Sequence, residues 1–290
     1  MSDTDSLHRF LFEQTDIRGN LVHLDASWRA VLDAHDYPEP VRGLLGEALA
    51  AVSLLAATIK FDGSLILQAQ GDGPLRTLVA QATSARTVRG LARWDGELDP
   101  EASLAELFGA ARLVLTIEPR AGEPYQGIVA LQGERLADAM EHFFSGSEQL
   151  PTRLWLDADG ERAAGMLLQR LPGEDRATED WSRVGMLADT LTRTELLALP
   201  AEQLLYRLFN EEPVRLFDPD PIAFRCGCSR ARIEQTVKLL GAEEIESIIA
   251  EHDGLEVTCE FCNRTYRFDP VDARQLLAED SHHSSPPTQH

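Results

Sequence analysis

The sequence predicts an α+β protein: a mixed α/β N-terminal domain, a helical linker and a small zinc-binding C-terminal module, on three observations. Strand-like runs and apolar helical stretches follow one another irregularly over residues 1–178, without the regular βαβα alternation of a doubly wound sheet. From Trp181 to Asn210 helical periodicity takes over. Four cysteines, Cys226, Cys228, Cys259 and Cys262, then fall within 37 consecutive residues, after 225 residues that contain none.

In the first domain, Asp36-Tyr37-Pro38-Glu39-Pro40 leads into a helix expected over Val41–Lys60, rich in Ala and Leu. Strand-like runs at Leu65–Gln70 and Leu75–Ala82 flank Gly71-Asp72-Gly73-Pro74, a tight-turn signal. Further strands are expected at Thr87–Trp94, Arg112–Glu118, Gln126–Gln132, Arg153–Leu156 and Ala164–Arg170, with short helices at Ser103–Phe108 and Leu136–Phe144. The polar stretch Pro172-Gly173-Glu174-Asp175 marks the end of this domain near residue 178.

Residues 179–220 read as a helical linker. Val184, Leu187 and Leu191 recur at i, i+3 and i+7, and Leu204, Leu205, Leu208 and Phe209 form a second stripe behind Pro200, which opens that helix. So short a segment cannot hide its apolar face alone and must pack on a neighbour.

The cysteine module is expected over residues 221–275. Cys226-Gly227-Cys228 and Cys259-Glu260-Phe261-Cys262 are separated by thirty residues, 229 to 258. Between them a first helix starts at Ser229, a favourable N-cap, and runs to Leu240, with Ile233, Val237 and Leu240 on one face and Gly241 at its C′ position. A second spans Ala242–His252 with Ile245, Ile248 and Ile249 inward. Asp253-Gly254 then turns the chain into a hairpin, Leu255–Thr258 and Tyr266–Phe268, whose turn carries the second cysteine pair. Residues 276–290 read as a disordered polar tail.

Charge and motifs exclude several functions. With 27 Lys+Arg against 48 Asp+Glu, the chain carries a formal charge of −21 and would repel nucleic acid unless a basic patch overrode the field. None is visible, and residues 223–269 hold six basic and nine acidic side chains. The longest uncharged run, Ala48–Ile59, falls short of the roughly twenty residues that span a bilayer. Met1–Glu13 lacks the apolar stretch of a signal peptide, so a soluble cytoplasmic protein is expected. No phosphate-binding loop, nucleophile elbow or His-Glu metalloprotease motif is present, and the reading is of a protein that is not an enzyme.

Two close thiolate pairs can supply a tetrahedral four-sulfur shell, for which zinc is the usual metal. A catalytic zinc needs an open position, and four cysteines leave none. Two readings remain: a permanent structural zinc in a protein-binding module, and a redox switch. The second has a physical basis. A module of about fifty residues buries little core and depends on its metal to fold, with on the order of 10 kcal/mol coming from the ion. Oxidation of the ligands to disulfides removes that stabilisation. The module then unfolds, and uncovered apolar faces in the linker bind other unfolded chains, while the negative charge keeps the open form soluble. Arg225, Arg230 and Arg264 are candidates for stabilising thiolate.

The order Cys-x-Cys, about thirty residues, Cys-x-x-Cys resembles the redox module of the heat-shock protein 33 family. Leu7–Glu13, Lys60–Gly63, Gln70–Pro74, Tyr125–Gly127, Ser147–Arg153, Ala164–Gln169 and the stretch from Glu195-Leu196-Leu197 through Glu211-Glu212 also look like family segments. The resemblance implies an ATP-independent holdase chaperone, a compact monomer while reduced, holding one zinc on Cys226, Cys228, Cys259 and Cys262. On oxidation it implies disulfides Cys226–Cys228 and Cys259–Cys262, zinc release, loss of structure in module and linker, a homodimer, and capture of unfolded client proteins. Client-binding candidates are Val184, Leu187, Leu191, Leu204, Leu205, Leu208 and Phe209. One departure is Asn263, where Gly is expected in many relatives; Asn tolerates the positive φ such a position requires.

Overall fold

The first hairpin comes from residues with no clear periodicity. β1 (Ser6–Phe12) pairs antiparallel with β2 (Ile17–Leu24). Leu7, Val22 and Leu24 face one apolar cluster, while Phe10, Phe12, Ile17 and Leu21 face another. A strand buried on both sides shows no apolar–polar alternation, which is why sequence reasoning missed it. The missed helix α1 (Ala26–Leu32) starts where the Asp5 carboxylate accepts the backbone N–H groups of Asp25, Ala26 and Ser27, at 3.1, 2.9 and 2.9 Å.

The computed structural model describes residues 4–148, 150–172 and 177–281, without the side chains of 147, 148, 177 and 277–281. It divides into two compact units, Met1–Arg225 and Cys226–His290. The expected boundary residues Gly173, Glu174 and Asp175 and the tail beyond Ser281 lie outside the described residues.

The first unit continues with α2 (Glu39–Thr58), β3 (Gly63–Gln70), β4 (Leu75–Thr83), β5 (Thr87–Trp94), α3 (Leu104–Phe108), β6 (Arg112–Pro119), β7 (Tyr125–Ala130), α4 (Leu136–Phe143), β8 (Thr152–Ala158) and β9 (Ala163–Arg170). Each strand expected between Leu65 and Arg170 is present within two residues at either end. Next come α5 (Ala177–Ala188), α6 (Arg193–Ala198), α7 (Ala201–Phe209), and three short strands, β10 (Val214–Leu216), β11 (Asp220–Pro221) and β12 (Ala223–Phe224). Two six-stranded sheets result. One runs β10-β1-β2-β9-β8 with β11 also on β1; the other runs β12-β5-β4-β3-β6-β7.

Helix α2 lies between the sheets and supplies the centre of the core, with Leu45, Ala48, Leu49, Val52 and Leu55 fully buried. It has the length and hydropathy of a membrane span, but two thirds of it is buried inside the protein, which accounts for its composition. A Cβ at Gly46 would lie 2.3 Å from that of Ala158, so glycine lets the helix approach the sheet.

The opposite face of the first sheet is covered by α5, α6 and α7. The expected linker thus holds three helices rather than two: Thr192 caps α6 through a reciprocal pair of hydrogen bonds with Glu195, interrupting what the apolar pattern ran together. Segment 179–220 belongs to the first unit and ends by adding β10 and β11 to the first sheet.

The second unit contains α8 (Arg230–Lys238), α9 (Ala242–His252), β13 (Leu255–Thr258), β14 (Thr265–Phe268) and α10 (Pro270–Ser281). Its buried apolar core is Val237, Ile245, Ile249, Leu255, Phe268, Ala273 and Leu276. Leu240, expected inward, is 49% exposed because α8 ends before it. Gly241 takes the positive φ expected of it, 86°, but as the residue that opens α9. The tail expected from residue 276 is helical to Ser281, since Ala273 and Leu276 have a core to cover.

Candidate metal centre

The site is built by two loops at the edge of the second unit. Cys226 and Cys228 precede α8, whose first turn is capped by the Ser229 hydroxyl accepting the Arg232 N–H at 3.3 Å. Arg232 in turn donates from Nη1 to the Gly227 carbonyl at 2.9 Å, tying the Cys-Gly-Cys segment to the helix. Cys259 and Cys262 sit in the turn between β13 and β14. Cys259 donates its N–H to Arg264 O at 2.9 Å, and Cys259 O accepts from Cys262 at 3.3 Å and Asn263 at 2.8 Å. Asn263 has φ 53°, the left-handed conformation expected of that position.

The four sulfurs lie within 4.8 Å of one another, with Cys226–Cys259 at 3.6 Å and Cys228–Cys262 at 3.4 Å. A tetrahedron with metal–sulfur bonds of about 2.3 Å has edges of about 3.8 Å, so the set fits one ion with four thiolate ligands. All four are half-buried.

Burial pushes the Cys226 thiol up to about 12, with the neighbouring sulfurs adding to the rise. Burial also acts to raise Cys228, but hydrogen bonds from Tyr266 and the other cysteines outweigh it and bring that thiol down to about 7. Tyr266 Oη donates to Cys228 Sγ at 3.2 Å. Sequence reasoning missed this role because Tyr266 read only as a strand residue; in the structure it stands opposite Val257 on the returning strand. Of the three candidate cations, Arg264 interacts electrostatically with Tyr266, Cys228 and Cys262, which raises its own pKa. Arg230 instead meets Asp272 at 2.6 Å and stacks on the Phe268 ring at 4.4 Å, fastening α8 to α10 and β14.

The seven apolar residues singled out in segment 179–220 lie together in the first unit, away from solvent. Val184, Leu204, Leu205, Leu208 and Phe209 are buried; Leu187 and Leu191 are half-buried. They cover Phe10, Phe12, Ile17, Leu21, Met166 and Leu168, the sheet face that sequence reasoning did not identify. Polar bonds close the margin. His23 Nε2 donates to Leu196 O at 2.9 Å and Arg162 Nη1 to Leu197 O at 3.1 Å.

The family profile described as Hsp33 protein matches residues 5–269. The 33 kDa chaperonin of Nitrosococcus oceani is 61% identical over 279 residues, covering 96% of each chain. That of Azotobacter vinelandii is 51% identical over 285 residues, again covering 96% of each. The crystal structure of the 33 kDa chaperonin from Thermotoga maritima, a heat shock protein 33 homolog, superposes with a TM-score of 0.84 over 96% of this chain and 99% of that one, at 22% identity.

Proposed function

The chain belongs to the Hsp33 family, which makes it a chaperone for unfolded proteins and not an enzyme, and from that premise we propose that it is an ATP-independent holdase switched by oxidation of its four cysteines. The observation that carries this reading is a four-sulfur cluster in a unit whose buried apolar core, among the described residues, is seven side chains. Zinc is the ion this donor set suits: bound on Cys226, Cys228, Cys259 and Cys262, it would hold the two loops together and stabilise thiolate.

Under peroxide, one thiolate sulfur attacks the O–O bond, forming S–O and expelling hydroxide. A second sulfur displaces the remaining hydroxide to close S–S, so two sulfurs lose two electrons and the peroxide gains them. We assign the disulfides Cys226–Cys228 and Cys259–Cys262. Each leaves the chain without two metal ligands, and the second unit then loses the constraint that so small a core cannot replace.

Segment 179–220 acts in this scheme as a releasable linker between a chaperone core, residues 1–178, and the switch, residues 221–275. Its end and the residues just beyond it form strands of three, two and two residues, a weak mooring once the chain beyond Arg225 is unfolded. Lifting it uncovers Val184, Leu187, Leu191, Leu204, Leu205, Leu208 and Phe209 together with the sheet face beneath, a continuous apolar surface for clients. A homodimer of the oxidised form and a reduced monomer complete the proposal, in a reducing cytoplasm where the thiols persist until stress.

The test follows zinc release and the aggregation of a thermally unfolding client together, with and without peroxide. Release accompanied by a gain of holding activity supports the switch. Zinc that stays, or leaves without any gain, makes the site a permanent structural one.

A further inference from the structure

Cys228 differs from its neighbours in what touches its sulfur. The backbone of Cys228 and of Arg264 acts to lower the Cys226 and Cys262 thiols respectively. Cys228 takes a side-chain hydroxyl, Tyr266 Oη at 3.2 Å. The Tyr266 ring packs half-buried against the small core of the second unit and stands opposite Val257 across the hairpin, so its reach toward the sulfur is set by the strand register. The Arg264 guanidinium acts on the same hydroxyl electrostatically. A thiolate carries no proton, so the hydroxyl is the donor to Cys228, and a guanidinium, which only donates, does not compete for that proton.

We propose that Tyr266 is a positioning residue of the metal site, one that orients Cys228 Sγ as a ligand and lowers that sulfur's reactivity toward electrophiles, with Arg264 directing its hydroxyl. A hydrogen bond donated to a metal-bound thiolate occupies a sulfur lone pair and withdraws electron density from it. The sulfur becomes a poorer nucleophile without ceasing to be a ligand. Partners of this kind set ligand orientation and basicity, and their loss changes affinity or activity by about 10- to 100-fold. A set in which one sulfur receives a phenol hydroxyl is uneven, and Cys228 is the one held back. This rests on the four-thiolate reading of the site and adds a regulator of it.

The test uses full-length Tyr266→Phe, which keeps the ring and loses only the hydroxyl. In cobalt-substituted protein the sulfur-to-metal charge-transfer band should move to lower energy, because the sulfur electrons are less tightly held. In zinc-loaded protein, iodoacetamide alkylation of Cys228, in which an S–C bond forms and iodide leaves, should quicken about tenfold by fragment mass spectrometry, with Cys259 and Cys262 unchanged. Arg264→Gln should shift Cys228 the same way by a smaller factor.

An unmoved band with an unchanged Cys228 rate overturns the assignment. So does an equal rise at all four cysteines, which would report a loosened unit. Neither readout needs an oxidant, so a failure of peroxide to release zinc would sink the switch alone.

Discussion

Arg153 on β8 grips Asp189, the residue after α5, with two hydrogen bonds of 3.0 and 2.5 Å, and its guanidinium lies 5.1 Å over the Trp155 ring. A Cβ at Gly185 would lie 2.8 Å from Arg153 Nη1, so glycine leaves room for the arginine to cross. At the start of α6 the polarity reverses: Arg193 Nε is 3.1 Å from Asp157 on the same strand, and Nη2 donates to Ala158 O at 2.8 Å. The turn between α5 and α6 is therefore fastened to β8 by two ion pairs of opposite sense. Their side chains are 34% and 46% exposed in one pair and 62% and 21% in the other, so each contributes at most about 1 kcal/mol.

Arg153→Gln is accordingly expected to leave the melting temperature of the first unit almost unchanged while speeding amide exchange in α5 and α6 severalfold. High salt should act the same way on the parent protein. Exchange indifferent to both would mean that packing alone holds these helices down.

Apolar packing holds the helices more strongly than the ion pairs do. Phe209 meets Phe12 edge-on at 5.0 Å and Phe10 at 6.4 Å, beneath Leu205 and Leu208. Phe209→Ala should cost about 3–5 kcal/mol, enough to lift α7 in a fraction of reduced molecules. Apolar-dye binding and suppression of client aggregation should then appear without oxidant. Tyr206→Ala on the same helix, at a side chain 73% exposed, is the control and should change neither. A Phe209 variant that melts earlier yet gains no holding activity would place the client surface elsewhere.

What the sequence made legible follows the same physics. Strands with one buried face, such as β3 with Leu65, Leu67 and Ala69 inward, carry the alternation and were found to within two residues. β1 and β2, buried on both faces, carry none and were missed. β10, β11 and β12 are too short to show any period. The cysteines and the positive φ of Asn263 were readable because their chemistry is local. Tyr266 and the fastening of α5 and α6 were not, because each depends on a partner brought in by tertiary structure.

The cysteine cluster makes a direct demand on composition. Cys226→Ser replaces one of four thiolates by a hydroxyl that binds zinc poorly, so bound zinc should fall well below one per chain and the second unit should lose its own unfolding transition. Metal loss from the parent protein should also set in as pH falls, since protons compete for the sulfurs. The measurement is zinc content by atomic absorption beside calorimetry on the same samples. Full zinc and an unaltered transition in the variant would show that three sulfurs suffice.

Glu47 gives the first unit a pH dependence of its own. Its carboxyl on α2 is packed where burial, and then the charge of Asp157, raise it from the ordinary carboxylate range to about 8; Asp138 adds to the rise, while Arg135 and Arg193 oppose it. In the unfolded chain the group titrates near 4.5. Below that value both states are protonated and the carboxyl contributes fully. Between about 4.5 and 8 the unfolded chain releases a proton that the folded chain keeps, so stability falls as pH rises and levels off above 8. Glu47→Gln, neutral throughout and of the same shape, should match the parent near pH 4 and exceed it by a few kcal/mol at pH 9. Because Asp157 also anchors Arg193, the variant should tighten α6 in the same alkaline range, seen as slower amide exchange there. Urea unfolding across that pH range decides it: parallel curves for parent and variant would mean that Glu47 is solvated and its burial inconsequential.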